Sequence, residues 1–233
     1  MQGKEFTRYA VYWTPPPGPL AGFGAAWLGW DPASGTAPEA LAVEGLATGE
    51  ITETPRPYGL HATMKAPFRL AEGRTAAELC RAFHDFAARQ APVMLDGLAL
   101  ARLGRFLCLR PEGKAGALDR LAADAVRDLD GFRAPLTEAE IARRRQGGLA
   151  PEADALMLHW GYPHVMQRFR FHVTLTGQLD PETMSRAEAA LAPMLEPLLT
   201  RPFPIDALSL MGEDRQKRFH LIARAPLGDT RQG

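Results

Sequence analysis

Apolar and polar side chains alternate along residues 167–177 in the pattern of a half-buried strand. The apolar positions are Phe169, Phe171, Val173 and Leu175. Successive side chains of a strand point to opposite faces, so this alternation predicts a strand with an apolar back and a polar front. The polar front would carry Arg168, Arg170, His172, Thr174 and Thr176.

Residues 58–68 repeat the centre of this pattern. His61, Thr63 and Lys65 would share one face of a second strand, and the residues between them are apolar. The same period of two predicts that these three side chains point together. The chain is therefore expected to contain two strands that each present a His-x-Thr pair.

The segments that follow the two motifs have the same order of elements. Apolar residues at helical spacing predict one helix over residues 75–90 and another over residues 181–199. Each helix precedes two short segments with strand character, which suggests an internal repeat. Those segments are residues 93–103, 105–110, 202–211 and 218–225.

Each histidine also stands at nearly the same distance from an aspartate in the first strand after the helix. His61 precedes Asp96 by 35 residues, and His172 precedes Asp206 by 34. A matching order of motif, helix and two strands is difficult to obtain by chance. We infer a duplicated α+β fold with antiparallel sheets forming a central groove and helices outside.

The repeat defines the expected domain organisation. Two pseudo-symmetric lobes, about residues 1–130 and 165–227, would make one domain. Residues 131–164 would be an insertion that borders the groove. Within it, Thr137 followed by Glu140 has the spacing of a capping box and predicts the start of a helix.

Composition and net charge limit the classes of partner that we expect. The 233 residues include 27 Lys and Arg against 27 Asp and Glu, so the formal net charge is zero. Non-specific nucleic-acid binding usually comes with a basic surplus, so a long nucleic acid is not expected as a partner.

Cysteine usage and hydropathy indicate the compartment. The two cysteines, Cys80 and Cys108, are not spaced as a redox or metal motif. The N-terminus lacks the pattern of a signal peptide, and no apolar run approaches the roughly 18 residues of a membrane span. We therefore expect a soluble, cytoplasmic protein that does not bind a membrane.

Two histidines that face one groove are suited to general acid–base catalysis. An imidazole titrates near ~6.5, so one ring can act as base while the other acts as acid. In-line displacement at phosphorus needs a base on one side and an acid on the other, and it needs neither metal nor cofactor. The predicted catalytic residues are His61, Thr63, His172 and Thr174. The alternative is a pair of strand histidines bonded only to neighbouring backbone.

Further side chains are candidates for substrate binding. Cations and hydroxyls on the strand fronts would bind phosphate oxygens, whereas aromatic side chains would contact a sugar or base or simply pack. The predicted binding residues are Lys65, Arg168, Arg170, Thr176, Tyr58, Tyr162 and Arg133. The run Arg143 to Arg145 is more typical of a solvated helix face. His159 and His164 lack the helical spacing of a metal site, so no metal is expected.

Longer strings in the chain resemble a known superfamily. Paired His-x-Thr motifs on a duplicated lobe resemble the two-histidine phosphoesterases, which include the 2′-5′ RNA ligase-like proteins. The chain is more narrowly similar to a bacterial branch described as phosphonate-metabolism proteins. The strings that carry this closer likeness are RYAVYW, YGLHATMKAPFRL, FRAPLT, ARRR, WGYPHV and FRFHVTLTG.

The resemblance implies a metal-independent phosphodiesterase that opens a small cyclic phosphate ester, such as a ribose cyclic phosphate, to a monoester. His172 would be the preferred base and His61 the acid, although the sequence leaves the assignment open. One alternative is an RNA-end 2′,3′-cyclic phosphodiesterase or ligase. Another is a non-catalytic module that binds a phosphorylated metabolite.

Overall fold

A computed structural model of the chain describes residues 5–228, so residues 1–4 of the predicted first lobe lie outside it. The strands are β1 (Arg8–Trp13), β2 (Ala62–Phe68), β3 (Val93–Leu95), β4 (Gly97–Leu103), β5 (Phe106–Glu112), β6 (Val173–Thr174), β7 (Phe203–Ile205), β8 (Ala207–Glu213) and β9 (Phe219–Pro226). The α-helices are α1 (Pro19–Leu28), α2 (Thr48–Ile51), α3 (Ala76–Arg89), α4 (Gly116–Asp128), α5 (Glu138–Arg145), α6 (Pro151–Trp160) and α7 (Pro181–Leu195).

Seven strands form one antiparallel sheet in the order β4-β5-β6-β2-β1-β8-β9, and β3 pairs with β7 in a separate ribbon. The two strands that carry the motifs are therefore neighbours at the centre of the sheet. The predicted α+β class with antiparallel sheets is confirmed.

The internal repeat is visible in the order of the elements. The series β2-α3-β3-β4-β5 is followed by the equivalent series β6-α7-β7-β8-β9. The hairpin of the first series pairs with β6 of the second, whereas the hairpin of the second pairs with β1 beside β2. The two halves thus interlock in one sheet, and the lobe boundaries stay a prediction.

One face of the sheet carries the main core. Tyr9, Val11 and Trp13 of β1 are buried there against side chains of α3, α4 and α7. The helix α3 begins at a capping box made by Thr75 and Glu78, and its apolar residues recur every three or four positions. Helices are thus packed on the face opposite to the polar side chains of the central strands.

The other face of the sheet has a smaller apolar cluster made by Ala10, Tyr12, Met211 and Phe219. In β1, Ala10 and Tyr12 have the opposite parity to the core residues, as the period of two requires. No helix of the described residues is long and apolar enough to cross a membrane.

The strand predicted over residues 167–177 is shorter than expected. Only Val173 and Thr174 are paired as a strand, and Met166–Arg168 form a 3-10 turn. The predicted alternation still holds for the four apolar residues, which are all buried. Residues 169–172 are thus anchored by their apolar side chains rather than by a backbone ladder.

The alternation fails just after each His-x-Thr pair. In β2 the register with β1 shifts between Thr63 and Lys65, and in the second motif the amides of Leu175 and Thr176 both donate to the carbonyl of Leu107. Such irregularities change the face to which the next side chain points. Both residues two positions beyond the threonines, Lys65 and Thr176, are consequently buried.

Thr176 has a structural role that the sequence did not predict. Its Oγ1 accepts a hydrogen bond from the Leu107 amide at 3.0 Å and donates one to the Gly177 carbonyl at 2.9 Å. This placement corrects the prediction that Thr176 contacts the substrate. Its hydroxyl instead connects β5 to the residues that follow β6.

We predict that Thr176→Val lowers the free energy of unfolding by about 1–3 kcal/mol, because it removes both hydrogen bonds of this buried residue's hydroxyl. The control is Thr174→Val, since the Thr174 hydroxyl makes no hydrogen bond to the described residues and should cost about 0.5 kcal/mol or less. Urea unfolding at constant m-value measures both changes. Equal losses in the two variants would contradict the structural role.

Candidate active site

The pairing of β2 with β6 brings the two motifs together. Ala62 lies opposite Val173 in this antiparallel pair, and both are buried in the core. The residues on either side point to the opposite face, so His61 comes to lie across from Thr174, and Thr63 comes to lie across from His172. The four predicted catalytic residues therefore share one small area.

Both imidazoles are held by the same local hydrogen bond. The Nδ1 atom of His61 lies 2.9 Å from the carbonyl oxygen of Gly59, and Nδ1 of His172 lies 2.7 Å from that of Arg170. A carbonyl oxygen only accepts, so each Nδ1 carries the proton and each Nε2 is left for other partners. The alternative, in which the two histidines bond only to neighbouring backbone, thus accounts for Nδ1 of each ring but not for Nε2.

Gly59 fits its position for two reasons. Its φ of 68° lies in the left-handed region, and an added Cβ would approach Pro32 Cγ to 2.2 Å. A glycine here lets the carbonyl turn toward Nδ1 of His61.

Aromatic rings enclose His61. The centre of the Tyr12 ring lies 4.1 Å from that of the imidazole, and the centre of the stacked Tyr58 ring lies 5.4 Å from it. Burial is the main cause that lowers the pKa of His61 to about 4; the hydrogen bond to Gly59 acts in the opposite direction, and the nearby His172 contributes to the lowering. His61 is therefore neutral at physiological pH.

A cavity of about 290 Å³ opens beside these residues. It includes five of the predicted site residues, namely Tyr58, His61, Thr63, Tyr162 and Thr174. The hydroxyl Oγ1 of Thr63 lies 3.3 Å from Nε2 of His61. His172 is not among the lining residues, but the register of β2 with β6 sets it opposite Thr63, which does line the cavity.

The cavity wall also has residues that the sequence reasoning missed. Arg8, Tyr12 and Thr54 line it, as does Arg144 from the insertion. The alternation of β1 was a usable signal, because Arg8 and Tyr12 have the parity opposite to the core residues of that strand. The placement of Arg144 depends on tertiary packing and has no such signal.

The insertion is fixed by ion pairs at both ends of α5. Arg69 donates to Glu140 at 3.0 Å, and Arg145 pairs with Asp154 of α6 at 2.6 Å. The predicted capping box of Thr137 and Glu140 is confirmed. Of the three consecutive arginines, Arg145 is thus structural and Arg144 reaches the cavity, which corrects the interpretation of a solvated helix face.

Lys65 does not line this cavity, in contrast to the prediction. Its Nζ donates to the Val126 carbonyl at 3.0 Å and to Asp130 at 3.1 Å, and burial lowers its pKa to about 8. Arg133 pairs with the same Asp130 at 2.8 Å and donates to the His159 carbonyl. Both cations are therefore used in holding α4 and the insertion to β2.

Arg168 and Arg170 also lie away from the cavity lining. They border a separate surface pocket together with Glu152, His164 and Gln167. Arg168 pairs with Glu152 at 3.3 Å, and Arg170 donates to two nearby carbonyls. The turn at residues 166–168 takes these arginines out of the strand front on which the sequence placed them.

Comparison with curated proteins gives relatives that are longer than this chain. The chain is 36% identical over 222 residues to "Ribose 1,5-bisphosphate phosphokinase PhnN" of Janthinobacterium sp. (strain Marseille), covering 92% of this chain and 49% of the relative. It is 38% identical over 196 residues to a protein of the same name from Laribacter hongkongensis (strain HLHK9), covering 78% and 44%. The chain thus spans about half the length of the curated relatives it matches.

The solved structures that align with the chain have low sequence identity to it and TM-scores below 0.5. A structure titled phosphoesterase is 15% identical with a TM-score of 0.42, covering 96% of this chain and 99% of that one. E. coli LigT complexed with NADP+ is 14% identical with a TM-score of 0.42 and coverage of 97% and 99%. TT0787 of Thermus thermophilus is 15% identical with a TM-score of 0.45 and coverage of 95% and 99%.

A family model described as "Protein of unknown function (DUF1045)" matches residues 63–220. This range contains His172, both threonines of the motifs and the whole insertion, and it begins two residues after His61. The match covers more than half of the chain, which therefore belongs to the DUF1045 family.

Proposed function

We propose that this protein is a phosphoesterase that opens a small cyclic phosphate ester to a monoester without a metal. The observation that carries the proposal is the matched pair of imidazoles. Each has Nδ1 bonded to the carbonyl two residues earlier, which would make Nε2 the reactive nitrogen, and the register sets each histidine across from the threonine of the other motif. Such a pair supplies one base and one acid in a single site.

The electrostatics favour His61 as the base. A base must be neutral, and burial keeps His61 neutral at physiological pH by lowering its pKa. Its Nε2 would accept a proton from water as the water oxygen attacks phosphorus. His172 in its protonated form would donate the Nε2 proton to the ring oxygen as the P–O bond breaks. This assignment is the reverse of the one preferred from the sequence.

Thr63 and Thr174 would bind the non-bridging oxygens. The Thr174 hydroxyl makes no hydrogen bond to the described residues, and the Thr63 hydroxyl has only the 3.3 Å contact with His61. Hydroxyl donors aimed at the developing charge of a phosphate lower the barrier electrostatically.

The names of the relatives suggest the substrate class. They are called kinases of ribose 1,5-bisphosphate, and this chain matches about half of their length. A phosphorylated ribose is therefore the class of substrate that we infer, with the reacting phosphorus bridging two ribose oxygens. The likeness of the sequence motifs to phosphonate-metabolism proteins supports the same class.

We predict that His61→Ala and His172→Ala each lower kcat roughly 10²–10⁴-fold on a ribose cyclic phosphate, because each removes one proton-transfer group. Phosphorus NMR follows conversion to the monoester with EDTA present. His84→Ala is the matched control, because this exposed histidine lies on α3 away from the cavity and should leave the rate unchanged.

The substrate panel also decides between the alternatives. It would contain ribose 1,2-cyclic phosphate, nucleoside 2′,3′-cyclic phosphates and an oligonucleotide that ends in a 2′,3′-cyclic phosphate. Faster turnover of the oligonucleotide would favour an RNA-end enzyme. Native rates in both alanine variants, or loss of activity in EDTA, would contradict the proposed mechanism.

We predict that His61 titrates near pH 4 in the free protein rather than near its ordinary ~6.5. Because burial disfavours the charged ring, the protonated form appears only at lower pH. The neighbouring His172 contributes repulsion, so His172→Ala should move the midpoint of His61 upward. Imidazole NMR measures both midpoints, and a native midpoint above ~6 would rule out the assignment of His61 as an enclosed base.

A further inference from the structure

The proposed proton transfers do not use a second set of polar side chains that lines the same cavity. Two guanidinium groups, from Arg8 and Arg144, and three phenols, from Tyr12, Tyr58 and Tyr162, line it together with His61. They come from β1, from the turn before β2 and from the insertion. Chain segments that are distant in sequence thus bring five hydrogen-bond donors to one place.

Arg144 is a cation without a carboxylate partner among the described residues. Its Nη1 donates to the Gly161 carbonyl at 2.6 Å, and its guanidinium lies 5.7 Å from the centre of the Tyr162 ring. Burial is the main cause that lowers its pKa, and the charges of Arg143 and Arg8 act in the same direction, whereas Tyr162 and Glu140 act in the opposite one. Glu140 is already paired with Arg69, and Arg144 forms no ion pair with the described residues. A half-buried guanidinium without an ion pair favours an anion from outside the chain.

The guanidinium of Arg8, which lines the same cavity as Arg144, is held in place by a buried carboxylate. Both Nε and Nη2 of Arg8 bond to the two oxygens of Glu213, whose side chain is only 1% exposed. This bidentate pair holds the guanidinium plane in one orientation. Arg8 therefore acts as a preorganised donor, while Arg144 supplies net positive charge.

Tyr12 provides an independent observation. Its ring is fully buried, and its hydroxyl has no hydrogen-bond partner among the described residues. Buried hydroxyls are nearly always paired in folded proteins, so an unpaired one on a cavity wall indicates a missing acceptor. An anion in the cavity would accept from this phenol as well as from the arginines.

The chemistry of the donors indicates what kind of anion fits. Several N–H and O–H donors that line one cavity are suited to a phosphate monoester, which offers three acceptor oxygens and up to two charges. A volume of about 290 Å³ suits a small metabolite rather than a polymer.

We propose that Arg144 and Arg8, with the hydroxyls of Tyr12, Tyr58 and Tyr162, bind a second phosphate of the substrate that does not react. The substrate is then a sugar cyclic phosphate that carries a phosphate monoester at the far end of the sugar. This inference rests on the proposed function for the reacting phosphate, but the second site can be tested without turnover.

The kinetic test compares a ribose 1,2-cyclic phosphate with and without a phosphate on its 5-hydroxyl. The native protein should prefer the phosphorylated compound, and Arg144→Gln should reduce that preference in kcat/KM by roughly 10- to 100-fold through KM. Arg81→Gln is the matched control, because it removes the same charge from an exposed position of α3, on the other face of the sheet. It should leave the preference unchanged.

Equal kcat/KM values for the two compounds in the native protein would overturn the proposal. The same would follow if Arg144→Gln lowered kcat/KM equally for both compounds, because that would indicate a general effect on the site. Thermal unfolding of each variant verifies that it is folded.

A binding experiment separates this inference from the proposed reaction. Calorimetry with ribose 5-phosphate should show binding to the native protein and to the His61→Ala/His172→Ala double variant, with ribose as the reference. Arg144→Gln should weaken that binding roughly 10- to 100-fold, and Arg81→Gln should not. Binding that is unaffected by Arg144→Gln, or absent from the native protein, would overturn the second site. Binding without turnover of any cyclic phosphate would support it while contradicting the proposed reaction.

Discussion

The site depends on one short antiparallel pairing, that of Ala62 in β2 with Val173 in β6. This pairing sets each histidine across from the threonine of the other motif. So short a ladder is marginal by itself, and other contacts fix it. Val173 and Thr174 also pair with Leu109 and Cys108 of β5, and the Trp27 indole donates to the Leu175 carbonyl at 2.8 Å. The core beneath the sheet thus determines the register on which the chemistry depends.

The duplication explains why two equivalent imidazoles meet, and departures from symmetry explain how they can differ. His61 is enclosed by Tyr12 and Tyr58, whereas His172 has an aromatic contact with Phe106, at 5.9 Å between ring centres. An acid and a base need different protonation states at one pH, and the enclosure of His61 by two aromatic rings, with the lowered pKa that burial gives it, would provide the neutral member of such a pair. The insertion adds a further asymmetry by bringing Arg144 and Tyr162 to one side of the cavity.

Much of the fold and the position of both motifs could be predicted from the sequence, because period-two alternation is a local property. It located both His-x-Thr pairs, and the repeated order of elements indicated the α+β fold. The same reasoning failed for Lys65 and Thr176, because an irregularity after each threonine changes the parity, and such a shift leaves no simple trace in composition. Arg144 was missed because its position depends on ion pairs between α5, α6 and the end of β2.

The central claim is that both imidazoles contact one phosphate. The most direct measurement is a crystal structure of the native protein with a non-hydrolysed cyclic phosphorothioate of ribose. We expect the phosphorus between Nε2 of His61 and Nε2 of His172, with the hydroxyls of Thr63 and Thr174 on the non-bridging atoms. A ligand bound instead in the surface pocket beside Arg168 and Arg170, with both Nε2 atoms unengaged, would contradict the account.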